Sequence, residues 1–170
     1  MKYSVLLLFI AFASCKSYKP IALKNKYVET PVATETISSR DIVWEKLTDV
    51  LALNGLQIRL IDKESGLAIC NEKVLTYTYE DSVGALIDPK ADIVIPRQVD
   101  RHSKRTRKPR LVKAAWAIRV RPGANGKTII AVNLLNLQTI QRRAGKRRPV
   151  YVDGARSTGN LERHIASQIQ

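Results

Sequence analysis

The chain has 170 residues, two cysteines and a formal net charge of +14 at pH 7. This length is enough for one domain with a substantial hydrophobic core but is short for two, so one domain is the default expectation. So strong a positive charge favours anionic partners: lipid phosphates, acidic glycans, nucleic acid or an acidic protein face.

The amino-terminal stretch has the features of a targeting signal. Residues 5–12 form an apolar run behind a single basic residue, Lys2, and this run is far shorter than the roughly 20 residues that a membrane-spanning helix needs. Two small residues, Ala13 and Ser14, then precede Cys15. This arrangement resembles the lipobox of bacterial lipoproteins, in which cleavage before the cysteine is followed by acylation of its sulfur and of the new amino terminus.

The resemblance implies that residues 1–14 are a signal peptide and that Cys15 is lipidated, whereas the alternative is a plain secretory signal with an incidental cysteine. A lipidated protein acts at a membrane surface outside the cytoplasm. Lys16 and Ser17 carry neither an aspartate retention signal nor an acidic surface-export signal. We therefore expect a periplasm-facing anchor in the outer membrane. Acylation of Cys15 also leaves Cys70 without a disulfide partner in the chain, and its apolar surroundings predict a small buried hydrophobe.

Residues 15–37 are predicted to be the lipidated cysteine and a flexible tether. They contain Pro20, Pro31 and several threonines, and they have no sustained hydrophobic period. The alternative is that "KYVETPV" packs along the domain as an edge strand.

Residues 38–170 are predicted to form an α+β domain that begins with a helix. Ser38, with Asp41 three residues later, is a plausible N-cap, and Asn54-Gly55 is the expected helix end. Apolar residues recur on one helical face between them: Val43, Leu47, Val50 and Leu51. The period then changes to that of a strand from Leu56 to Leu60, and "DKESG" predicts a turn before a return strand at Leu67–Cys70.

The second half of the domain alternates β-forming and basic segments. "EKVLTYTYED" predicts an extended segment, and residues 82–110 predict a long, mobile basic insertion because three prolines interrupt the apolar pattern. "VKAAWAIRVRP" and "KTIIAVNLLNLQTI" predict two strands joined by a "GANG" turn, and "QRRAGKRRP" predicts a second basic loop. A terminal helix follows, with Ser157 or Thr158 as its cap and one apolar face: Leu161, Ile165 and Ile169.

These elements predict an antiparallel β-sheet packed against two α-helices in a two-layer sandwich. The block "VWEKLTDVLALNGLQIRLIDKESGLAIC" resembles the helix-grip domain in the lipoprotein C subunit of the outer-membrane β-barrel assembly machinery. The matching positions determine the fold rather than an activity: Trp44, Gly55, Ile58, Asp62 and Gly66. The resemblance implies a helix-grip-like sandwich and a scaffolding role in the cell envelope.

Catalytic patterns are weak in this sequence, so the sequence predicts no enzyme, no metal site and no cofactor. His102 lies among basic residues, which disfavour a protonated base, and His164 has no second His or Cys at metal-ligand spacing. Asp62 and Glu64 stand in a predicted turn, where Asp bonds its own backbone. "PGANGK" lacks the spacing of a phosphate-binding loop. An enzyme would require Asp153, His164 or Asp62 to converge in a pocket.

Positive charge is the strongest functional signal. Residues 97–148 contain 16 Lys and Arg and one acidic residue, Asp100. Each basic loop alone fits a solvated charged surface, but a hairpin that joined both at one end of the sheet would create an anion-binding site, because Arg donates paired hydrogen bonds to phosphate. The candidate residues are Arg105, Arg107, Lys108, Arg110, Arg142, Arg143, Arg147 and Arg148.

Two functions follow from these features. The first is a non-enzymatic envelope lipoprotein that docks a protein partner or an anionic lipid or glycan. The alternative is an inhibitor or immunity-type lipoprotein that blocks an exported hydrolase. Nucleic acid is a poorer candidate partner, because no aromatic residues interleave the basic ones for base stacking.

Overall fold

The structure is a computed structural model that describes residues 18–29, 31–100, 104–143, 146–150 and 154–170, with the backbone alone at 18, 100, 107, 141–143 and 146–150. In chain order, the elements are β1 (Tyr18–Pro20), β2 (Val32–Thr36), α1 (Arg40–Leu53), β3 (Ile58–Asp62), β4 (Leu67–Leu75), β5 (Tyr77–Thr78), β6 (Ile93–Val94), β7 (Gln98–Asp100), β8 (Thr106–Arg107), β9 (Leu111–Pro122), β10 (Thr128–Arg143), β11 (Lys146–Val150), β12 (Arg156–Ser157) and α2 (Asn160–Ile169).

A six-stranded antiparallel sheet forms the centre of the fold. Its order is β11-β10-β9-β4-β3. β2 pairs with the same edge of β10 as β11 does, but β2 contacts the start of β10 and β11 contacts its end. The predicted hairpin of β9 and β10 is confirmed, and β10 is central as its dense apolar content predicted. A short 3₁₀ turn at Ala124–Gly126 joins the two strands.

Both helices cover one face of this sheet. Residues that alternate along the strands point toward the helices, so Ala68 lies opposite Ile118 and Cys70 lies opposite Trp116 in the buried layer. The other face carries the intervening residues, such as the exposed Arg119. The core thus lies between the main sheet and the helix pair, as the period-2 pattern of β9 predicts.

Helix α1 follows its predicted pattern closely. Val43, Leu47 and Leu51 are fully buried, and Trp44 is 2% exposed. The N-cap is Ser39 rather than Ser38, because the Ser39 side chain accepts the hydrogen bond from the Ile42 amide. The helix ends at Leu53 before Asn54-Gly55, as expected.

The α+β class is confirmed, but the fold is more than a two-layer sandwich. Two further three-stranded sheets, β1-β7-β8 and β12-β6-β5, lie beside the main one. β5 lies in the segment "EKVLTYTYED", which the sequence predicts to be extended, whereas β1, β6, β7 and β8 come from segments predicted to be a tether or a mobile loop. Prolines and charged residues interrupt these segments, but the short apolar runs between them form strands that pair into small sheets.

The insertion at residues 82–110 is therefore not simply a mobile loop. Ala91, Ile93 and Val94 are fully buried and Ile95 is 2% exposed, and β6 pairs with both β5 and β12. Burial of consecutive apolar residues fixes this segment against the body of the domain.

The segment predicted as a tether is also partly folded. β2 pairs with β10 over five residues, and β1 pairs with β7. The alternative of an edge strand is correct in kind, although β2 begins at Val32, the last residue of the "KYVETPV" segment. Residues 1–17, with the predicted signal peptide and Cys15, lie outside the described residues.

Helix α2 differs from its prediction at its start. Its N-cap is Gly159 in a left-handed conformation, and no side chain caps it. Ile165 and Ile169 are fully buried as expected, Leu161 is half-buried, and Glu162 is unexpectedly only 2% exposed. Among the described residues, neither helix has the length and apolar character needed to cross a membrane.

Candidate functional site

The carboxyl end of the first basic segment and the start of the second meet at one end of the main sheet. β9 begins where β10 ends, so Leu111 pairs with Ile140, and the Arg110 amide donates to the Ile140 carbonyl at 2.8 Å. The Tyr77 hydroxyl donates to the Pro109 carbonyl at 3.1 Å and fixes the approach to β9. We call residues 104–110, 140–143 and 146–148 the basic end.

The predicted loop at 141–149 is a β-hairpin rather than a loop. In its backbone register, Arg142 pairs with Arg147 and Arg143 pairs with Lys146. Two pairs of basic residues therefore occupy facing positions in the backbone register at this end of the sheet.

The opposing basic segment is solvent-accessible. Arg105, Lys108 and Arg110 are exposed, and among the described residues none of the three forms an ion pair with a carboxylate. Glu72 lies nearby, but it pairs with Lys113 and accepts a hydrogen bond from Gln138 at 3.2 Å. These three exposed cations are thus available to an external anion.

The structure brings only part of the predicted anion set together. Arg110 lies beside the strand that carries Arg142 and Arg143, and Arg147 and Arg148 pair back onto that strand. Arg107 belongs to β8 in a different sheet, where it pairs with Gln98. The backbone therefore places one end of the first loop, rather than all of it, against the hairpin.

A cleft of about 360 Å³ opens on the side of β10. β2 pairs with this edge at residues 128–132 and β11 pairs with it at 139–143, so among the described strands residues 133–138 have no partner on that edge. The cleft fills this gap. It is lined by residues 28–29, by Asn133, Leu134 and Leu137, by residues 155–157 and by Glu162.

A β-bulge shapes the β10 wall of the cleft. The register shifts between Leu135 and Gln138, where Asn136 adopts a positive φ of 51°. Because the bulge adds one residue, Leu134 and Leu137 both pack toward the core side although they are three positions apart. Asn136 tolerates this conformation better than most residues do.

Glu162 supplies the buried charge of the cleft. It occupies the first turn of α2, where the positive end of the helix dipole favours a carboxylate. Within the described part of the chain, no hydrogen bond or ion pair engages its carboxylate. Arg156 also lines the cleft, but its Nε lies 3.4 Å from Glu29 Oε1. Sequence reasoning missed Glu162, and its only sequence signal is an acidic residue in a helix's first turn.

A second buried carboxylate, Glu80, holds the segment before β2. It accepts hydrogen bonds from the Lys24 amide (2.6 Å), the Asn25 amide (3.0 Å) and the Tyr27 hydroxyl (2.8 Å). Burial alone would raise the pKa of Glu80, but these bonds outweigh burial and lower it. Burial and the bond to Glu80 raise the pKa of Tyr27 to about 12. We call residues 21–29 the strap, which Glu80 fastens to the body.

Those residues considered for catalysis that the structure describes occupy ordinary structural positions. Asp62 accepts hydrogen bonds from the Glu64 and Ser65 amides, as predicted for a turn, and His164 is exposed on α2. His102 and Asp153 lie outside the described residues. No group of three potential ligands among the described His, Cys, Asp and Glu residues could hold a metal ion.

Cys70 is fully buried, and burial raises the pKa of its thiol to about 11. The prediction of a buried small residue is therefore confirmed.

A scan against protein-family models found no match, and a search of curated proteins found no significant match.

Proposed function

We propose that the chain is a non-enzymatic lipoprotein of the cell envelope, anchored through Cys15, whose basic end docks an anionic lipid surface. The pairing of the Arg110 backbone with Ile140 carries the proposal, because it joins two basic segments at one end of the sheet. Two further observations support it: Arg105, Lys108 and Arg110 are exposed and form no ion pair with a carboxylate in the described part of the chain, and basic residues face each other in the backbone register of β10 and β11. The location is proposed to be the outer membrane, facing the periplasm.

An anionic lipid surface accounts for both the positive charge of the basic end and the proposed acyl anchor at Cys15. Each basic residue near an anionic membrane contributes about 1 kcal/mol, and the effect falls within a Debye length. An acyl chain at Cys15 would keep the domain close enough for this attraction to act. The helix, strand, turn and strand at residues 40–75 are the local arrangement expected from the resemblance to envelope-assembly scaffolds.

Vesicle binding tests this proposal. The full chain carrying Cys15→Ser, which removes the acyl anchor, is mixed with vesicles of phosphatidylglycerol and phosphatidylcholine, or of phosphatidylcholine alone, at low and high salt. Binding is expected only to the anionic vesicles and is expected to weaken steeply with salt.

Two charge-neutralised variants locate the binding surface. Replacing Arg105, Lys108 and Arg110 by Gln should weaken binding by roughly fivefold for each residue, which corresponds to about 1 kcal/mol each. The control replaces Arg119 and Arg121, which are exposed near the other end of β9, and the two variants are compared by the loss per charge removed. Equal losses per removed charge would reject the basic end as the site. Retention of the wild-type chain on an envelope protein complex at high salt would instead favour a protein partner.

A further inference from the structure

We propose that the cleft beside β10 binds a small organic amine through Glu162. This inference concerns a site of opposite charge to the basic end and does not depend on the proposed membrane docking. It rests on three observations: a buried carboxylate, an unpaired stretch of sheet edge and an apolar wall.

The carboxylate comes first. Glu162 is 2% exposed and lines the cleft, and no hydrogen bond or ion pair engages its carboxylate within the described residues. Its oxygens are not among the fully buried side-chain atoms that lack a partner, so their small exposed surface opens onto the cleft. A charge with so little access to water is unfavourable unless a partner replaces the lost hydration. The start of α2 offsets this only in part, since the dipole supplies partial charge. A cationic ligand would complete the interaction.

The other two charged residues described in the cleft lining, Arg156 and Glu29, neutralise each other rather than Glu162. Arg156 and Glu29 lie within ion-pair distance of each other, at 3.4 Å, so their charges largely cancel. The described lining residues of the cleft therefore carry a net charge of −1, although the protein as a whole is basic. A compact ammonium group fits this field better than an anion does.

The remaining walls define the rest of the ligand. Leu134 and Leu137 are partly buried apolar residues that pack against the core from β10. Asn133 lies on the stretch of β10 edge that has no strand partner among those described. A volume of about 360 Å³ is at the small end of ligand sites. The expected ligand class is thus a primary amine with a short apolar chain.

Three six-carbon probes of matched shape test this assignment: n-hexylamine, n-hexanol and hexanoate. Each is titrated into the full ¹⁵N-labelled chain, and amide shifts are followed by NMR. We expect shifts centred on Asn133, Leu137 and Ser157, and about tenfold or tighter binding of the amine than of the alcohol. Hexanoate should not bind there. Equal affinity for amine and alcohol, or shifts spread over surface carboxylates, would overturn the assignment.

A variant pair separates a binding role from a folding role. Glu162→Gln should remove the preference for the amine, whereas Glu64→Gln, in the exposed turn after β3, should preserve it. If Glu162→Gln does not fold, the wild-type comparison of amine with alcohol still decides the question. A preserved amine preference in a folded Glu162→Gln protein would contradict the proposal.

Discussion

Removal of the charge on Glu80 should release the strap without unfolding the domain. In Glu80→Gln a single oxygen can remain an acceptor, for example for Asn25 and Tyr27, and the Lys24 amide then faces an NH₂ group. One charge-assisted bond is lost and two become neutral. Charge-assisted bonds contribute about 1.5–3 kcal/mol and neutral ones about 0.5–1.5 kcal/mol, so one lost bond and two weakened bonds cost about 3.5–6 kcal/mol locally.

Amide hydrogen exchange measures this loss directly, because two of the bonds to Glu80 come from backbone amides. Exchange at Lys24 and Asn25 should accelerate by at least about 10²-fold, while amides in β9 and β10 should change much less. Asp62→Asn is the matched control, since Asp62 also accepts hydrogen bonds from two backbone amides, those of Glu64 and Ser65 in the turn between β3 and β4. Unchanged exchange at Lys24 in Glu80→Gln would refute the assignment of Glu80 as the group that holds the strap.

Acid should reproduce the effect of the Glu80→Gln variant. Because the pKa of Glu80 in the folded protein lies below its usual 4.5, the stabilisation is complete above pH 4.5 and is lost as the pH falls through the folded-state pKa. Hydrogen exchange of the strap amides, measured across this pH range, should show the loss. Gly66→Ala should lower the free energy of unfolding by more than about 2 kcal/mol, because φ is +76° and an added Cβ would lie 2.1 Å from the Val120 carbonyl oxygen. Gly55→Ala, with a φ of +65° and no described neighbour within 4 Å, should cost only about 1 kcal/mol by urea denaturation. The Cys70 thiol should resist thiol reagents at pH 8 in the native protein and react in urea, because it is buried and its pKa is about 11. Mass spectrometry of the peptide that contains Cys70 would measure the modification.

Periodic and turn signals predicted the elements that depend on local sequence. Helix α1 and the β9 pattern were read from apolar spacing, and Asn54-Gly55 marked the helix end. These signals succeed because the spacing of buried residues follows directly from the geometry of a helix or strand. The joining of the basic segments was also foreseeable, since a β9–β10 hairpin brings its two outer ends together.

The remaining features depend on contacts between distant parts of the chain. Short strands such as β6 are too brief to show a period, so their pairing with β12 is not readable from composition. Glu162 looks like an ordinary surface residue of an amphipathic helix until the gap in the β10 edge places it in a cleft. Glu80 likewise acquires its role from a segment more than 50 residues earlier.

The late position of β10 in the chain constrains the order of folding. Thr36 of β2 pairs with Thr128, 92 residues later, whereas β9 and β10 are neighbours in sequence. Contacts this distant carry a large loop-closure entropy, so we expect the β9–β10 hairpin to form first and β2 to join last. If the chain is exported amino terminus first, β2 crosses the membrane well before its partner strand β10 does. The exported β2 segment would then be accessible to proteases or chaperones until β10 has also crossed.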